Sequence, residues 1–161
     1  MEAFRHILLD VWREACRHTQ IAESTANIAQ ILAYQMPLSH LIVQNINQQR
    51  SSVETIATAG STTRLSLETR TDLRQEHLSD LLLWLETGAV MRIRNQPFPP
   101  FVPEDVHGDI LAGPLKSAGG LLGIVLLVSP PGEHFEDRHQ AMLEILLEPF
   151  SVALEIGRAH V

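Results

Sequence analysis

Apolar positions recur every three to four residues in four stretches and every residue or every second residue in five others. Phe4, Ile7, Leu8, Val11 and Ala15 share one helical face, with Arg5, Asp10, Arg13 and Arg17 largely off it, so the pattern predicts a helix over about Glu2–His18. A second helix is predicted over about Glu23–Met36, with Ser24 as N-cap, Ile28, Ile31 and Leu32 as its stripe, and Pro37 as its stop. His40–Asn47 and Ser52–Ala59 follow as two strands of a hairpin. Leu41, Ile42 and Val43 are consecutive, as in a strand covered on both faces. Ser61–Thr71 is polar and has no clear period.

A third helix is predicted over about Asp72–Thr87, carrying Leu78, Leu81, Leu82 and Leu85. Gly88 is placed to end it in the left-handed conformation. Ala89–Ile93 reads as a short strand. The segment NQPFPPFVPEDVHG holds four prolines and is expected to be an irregular loop of the kind that often carries function. Ile110–Lys116 and Leu121–Ser129 form a second hairpin, its second strand almost wholly aliphatic. The last helix spans about Glu136–Leu154, and Pro149 inside it should remove the bond to the Ile145 carbonyl. The fold class is therefore α+β, an antiparallel sheet of five to six strands with helices on both faces.

Composition narrows the function classes. The chain has 161 residues, 45% of them apolar, and a formal net charge of −7, enough for one domain with a real core. An acidic balance does not suit a domain that binds nucleic acid directly, because phosphate contacts need a basic surface. Cys16 is the single cysteine, so there is no internal disulfide, no cysteine-based zinc cage and no resolving thiol. It is placed at the edge of the first helix's stripe, as a small buried hydrophobe or a redox thiol. No apolar run approaches a membrane span, and the charged N-terminus lacks a signal-peptide core. The expected location is the cytoplasm.

Pro114-Leu115, Gly119-Gly120, Gly123 and Phe135-Glu136-Asp137 occur in an order that resembles the C-terminal half of a GAF domain. The paired helices and the LIVQNI hairpin are similar to its first half. The EPFSVALE ending resembles GAF domains that precede the AAA+ engine of sigma-54-dependent (Fis family) regulators. That resemblance implies a sensory module of residues 1–155 that binds an unknown small molecule or a partner domain and controls an AAA+ ATPase in cis. A helix-turn-helix would read DNA further along such a protein. No GxxxxGK[ST] phosphate loop occurs in this chain, so it is expected to be a fragment. Glu155–Val161, EIGRAHV, resembles translated adapter sequence, and residues 156–161 are set aside as a non-native tail. Ligand-free dimerisation or repression is the alternative function, with a small GAF-fold enzyme behind it. GAF-type methionine sulfoxide reductases use several cysteines, and no catalytic residue, metal or cofactor is expected here. The residue pattern of cyclic-nucleotide GAF domains is not visible.

The family's ligand site lies between the sheet, the third helix and the following loop, so Trp84, Phe98 and Phe101 are candidate pocket walls or plain core. Arg92 and Arg94 alternate along the short strand and either hold an anion or protect an edge strand by charge. His107 and Asp109 border the proline-rich loop as ligand contacts or solvated turn residues. His134 and His139 are spaced i, i+5 and do not share a helix face. Trp12 lies about 100° from the centre of its helix's stripe, and Phe150 follows Pro149. The resemblance implies that the first and last helices pack together across a two-fold axis, so a homodimer is expected through Trp12 and Phe150.

Overall fold

The computed structural model describes residues 2–17, 21–60, 70–94, 98–103, 106 and 108–159. Its elements are α1 (Glu2–Arg17), α2 (Ile21–Ala33), β1 (His40–Asn47), β2 (Ser52–Gly60), β3 (Arg70–Asp72), α3 (Gln75–Thr87), β4 (Met91–Ile93), β5 (Ile110–Lys116), β6 (Leu122–Val128) and α4 (Asp137–Ala159). The strands form one six-stranded sheet in the order β3-β2-β1-β6-β5-β4, and every neighbouring pair is antiparallel. The two aliphatic strands, β1 and β6, lie at its centre, where both faces need apolar cover.

Alternation divides the core in two. Leu41, Val43, Leu111, Leu115, Val125 and Leu127 face α1, α2 and α4. Ile42, Ile46, Ile110, Ile124, Leu126 and Val128 face α3 and the loop residues Phe101, Val102 and Val106. Along α4, Leu143, Leu146, Phe150 and Leu154 repeat at three- and four-residue steps, and all are buried in the first layer. Gly113 on β5 lets this helix approach, because a Cβ there would stand 2.3 Å from Leu147 Cδ2. Two residues past Pro149, Ser151 lies between the helix and the sheet. Its hydroxyl donates to the Leu147 carbonyl at 2.8 Å and accepts the Lys116 N–H at 3.2 Å, which ties α4 to the end of β5.

Several expectations are corrected. Arg70–Asp72 forms an edge strand against Ser52–Glu54, so α3 starts at Gln75 and not at Asp72. Ser24 is buried inside α2, which begins at Ile21, and is not its cap. Cys16 is exposed, because the buried face of α1 runs through Ile7, Val11 and Ala15 and the next residue turns away. Phe150 is 2% exposed and fills its own protomer's core, so its side chain offers nothing to a partner. The helix assigned to Glu136–Leu154 continues to Ala159. Residues 61–69, most of the ambiguous polar stretch, lie outside the described residues. Gly88 adopts φ 68° and its N–H reaches the Leu85 carbonyl, closing α3 as expected. Among the described residues, no helix is long and apolar enough to cross a membrane.

Candidate functional site

His77, Asp80, Leu81 and Trp84 stand at positions i, i+3, i+4 and i+7 and present one face of α3. That face meets Met91 of β4 and the loop residues Pro99, Pro100 and Phe101 around a groove of about 220 Å³. Proline at 99 and 100 stiffens the loop, and the Val102 N–H closes a turn on the Pro99 carbonyl at 3.0 Å. The Trp84 and Phe101 rings are stacked, 5.7 Å between centroids and 4° between planes. The Trp84 indole N–H is fixed on the Ala89 carbonyl at 2.9 Å, so the ring offers a rigid apolar face. Below the loop, the Gln44 amide of β1 donates to the Phe101 carbonyl at 2.8 Å.

Gln44 is 2% exposed, and its Oε1 has no partner among the described residues. Thr55, paired with it across the strands, is 8% exposed, and its Oγ1 is likewise unpartnered. A bulge at Ile56 makes this pairing. Val43 opposes Ala57 while Gln44 opposes Thr55, so one extra residue switches the alternation and turns Thr55 to the loop side.

The candidates from sequence are only partly brought together. Trp84 and Phe101 line the groove. Phe98 packs at the edge of the same apolar layer without lining it. Arg92 is a correction: it opposes Leu111 and points to the other face of the sheet from Met91. There its guanidinium donates to the Phe135 carbonyl and to Asp137 Oδ1, the latter at 3.0 Å. Arg94 stands exposed one residue past β4 and does not line the groove. Asp80 is therefore the one charged side chain among the described lining residues, and an anionic ligand has no counter-charge there. His107 lies outside the described residues.

The polar residues near α4 hold the loop that leads into it. Asp109 is buried, accepts the Phe135 N–H at 3.1 Å and lies 3.3 Å from His134 Nδ1. Ser129 accepts the Asp109 N–H at 3.0 Å and donates to the Glu133 carbonyl at 2.8 Å. His139 is buried, accepts the Glu136 N–H on Nδ1 at 2.9 Å, and meets Phe135 edge-on. Among the described residues, no group of three His, Cys, Asp or Glu side chains is gathered in metal-binding range.

Burial holds the His139 imidazole below its ordinary pKa. Arg138 adds to this, Glu136 opposes it, Arg92 lowers it further, and the nearby Gln35 backbone opposes it. The unfolded chain then takes up a proton near pH 6.5 that the folded protein resists. Stability from this site is complete above that pH and is lost as pH falls below it. Wild type should therefore lose more melting temperature between about pH 7.5 and about pH 5.5 than His139→Gln does. Equal losses would show that His139 is not the titrating group.

No protein-family model matches the chain, and no curated protein matches it. Solved structures do. The GAF domain of a phosphoenolpyruvate-protein phosphotransferase from Coxiella burnetii has a TM-score of 0.71 at 17% identity, covering 98% of this chain and 96% of that one. A free methionine-R-sulfoxide reductase from Neisseria meningitidis, solved with its substrate, has a TM-score of 0.68 at 16% identity, covering 100% and 95%. A phycocyanobilin-bound GAF domain from a cyanobacterial phytochrome has a TM-score of 0.65 at 12% identity, covering 98% and 95%. The chain thus has the fold of GAF domains.

Proposed function

We propose that this domain is a cytoplasmic sensor that receives a small molecule in the groove between α3, β4 and the Pro99–Phe101 loop. The observation that carries this reading is the groove itself: an apolar recess walled by a fixed indole, with two unpartnered polar atoms beneath its loop. Neighbours of the same fold include one solved with phycocyanobilin and one with its substrate, so this architecture accommodates ligands.

The signal would leave through β4. Met91 lines the groove, and Arg92 beside it grips the Phe135 carbonyl and Asp137 where α4 begins. Asp137 is fully exposed, so the bond to the carbonyl is the stronger tether. A ligand that displaces β4 shifts the first turn of α4, and the helix carries the shift onward. In a sigma-54-type activator the receiver would be an AAA+ ATPase in cis. The domain is proposed not to be an enzyme. Its single thiol, Cys16, is on α1, across the sheet from the groove.

Dimerisation belongs to the same proposal, with a changed surface. Leu9 is 60% and Ile145 47% exposed, on the two helices that pack together, and half-buried Trp12 lies three residues beyond Leu9. Leu9, Trp12 and Ile145 replace Phe150 as the proposed two-fold contact. Sedimentation at high micromolar concentration should show a dimer that Trp12→Glu converts to monomer. A monomeric wild type would discard the dimer.

The ligand proposal is tested by thermal melting in a deproteinised extract of the source cells. Wild type should gain a few degrees, since a ligand of the native state stabilises it by mass action. Trp84→Ala should gain nothing. Equal gains in both proteins would remove the groove from the account.

A further inference from the structure

The two unpartnered atoms beneath the loop define what the groove recognises, an inference that rests on the groove being the binding site. Ile42, Ile46, Val53 and Ile124 surround Gln44 and Thr55 with aliphatic side chains. Two buried polar side chains in such a layer are unexpected unless something bonds them. The orientation of the Gln44 amide follows from its partner. A carbonyl can only accept, so Nε2 faces Phe101 and Oε1 faces away without a donor.

Phe101 makes two contacts at this place. Its ring stacks on Trp84, and its carbonyl accepts from Gln44. What it cannot supply is a donor for Gln44 Oε1 or a partner for Thr55 Oγ1. We propose that Phe101 occupies the place of the ligand, and that Gln44 and Thr55 are the polar floor of the occupied site. The ligand class follows from the contacts that Phe101 makes and those it lacks. It is a flat, uncharged aromatic molecule with a carbonyl and an N–H side by side on one edge, a cyclic amide. Its carbonyl takes the Gln44 N–H, its N–H donates to Gln44 Oε1, and its ring replaces that of Phe101 against Trp84. Thr55 bonds the same edge. No Lys or Arg is among the described lining residues, which fits a ligand without an anionic group.

Quinolin-2-one is a suitable probe, and N-methylquinolin-2-one is its control, with the same ring and carbonyl but no donor. In a Trp12→Phe background, Trp84 alone reports binding, because the chain has two tryptophans. Quinolin-2-one at millimolar concentration should quench the emission. The N-methyl compound should bind at least about tenfold more weakly, the loss of one good hydrogen bond at a buried site. Gln44→Met should abolish the preference and stay folded, melting within several degrees of wild type, since it removes the unpartnered Oε1 together with the bond to the Phe101 carbonyl without changing volume greatly. Thr55→Val should weaken quinolin-2-one alone. Equal affinity for the two compounds, a preference that survives in Gln44→Met, or no quenching by either would overturn the proposal. A bound water that fills the polar floor would give the first or last of these. The groove reading fails separately, if Trp84→Ala is stabilised by cell extract as wild type is.

Discussion

Leu126→Asp should abolish the cooperative melt, whereas Arg50→Asp should leave the midpoint within about a degree or two. Leu126 is 0% exposed in β6 and sits between Ile42 of β1 and Ala112 of β5, in the layer under α3. Replacing it removes apolar packing worth about 2–5 kcal/mol. It also buries a carboxylate within an apolar layer, which costs several kcal/mol more, roughly. Together these match a typical total stability of about 5–15 kcal/mol. Arg50 is exposed in the turn between β1 and β2, and only its backbone N–H is used, on Asn47 Oδ1. That bond survives any side-chain change, so an effect within about 0.5 kcal/mol is expected. Circular dichroism on heating checks both proteins. A cooperative melt of Leu126→Asp near the wild-type temperature would refute the placement of β6.

The second large effect is expected from Gly108→Ala, a change of one methyl group. Gly108 has φ 125°, a region that other residues rarely adopt, and a Cβ there would stand 2.4 Å from the Ser129 carbonyl oxygen. That oxygen belongs to the backbone and cannot rotate away. The next residue, Asp109, accepts the Ser129 N–H on its carbonyl at 2.9 Å and holds the Phe135 N–H on its side chain. Relieving the clash therefore pulls on the connection into α4. Backbone strain of this kind costs of order 1–3 kcal/mol, and loosening the connection adds to it. A melting temperature lower by roughly 6–12 °C is expected. Gly120→Ala is the comparison, with φ 87° but open space around the added carbon, and should cost less. Equal losses would show that conformation, and not the contact with Ser129, sets the penalty.

Much of the fold was legible because its signals are local. The β1 and β5 boundaries agree with the expected ones, since aliphatic runs and turn residues bracket them. Gly88 ended its helix for the reason expected of it. β3 was missed because Arg70, Thr71 and Asp72 carry no apolar alternation; the strand exists through its pairing with β2. The bulge at Ile56 also has no local signature, and it is what brings Thr55 beside Gln44. Half of the site could be read. The pattern groups Trp84, Phe98 and Phe101, and the structure stacks the first and last of these. Arg92 was grouped with them although Met91 and Arg92 are adjacent in a strand and must face opposite ways. Gln44 had a signal that went unread: it is the first polar residue after Leu41-Ile42-Val43, in a strand otherwise suited to burial on both faces. Cys16 and Phe150 depended on the rotation of their helices, which stripes of four or five residues define only loosely.

The central claim is that the groove holds a small molecule, and native mass spectrometry of protein purified from its own host tests it most directly. The account predicts one retained molecule of defined mass on wild type, released on denaturation and absent from Trp84→Ala prepared in the same way. Wild type that carries no added mass, or a Trp84→Ala variant that retains the same molecule, would contradict it.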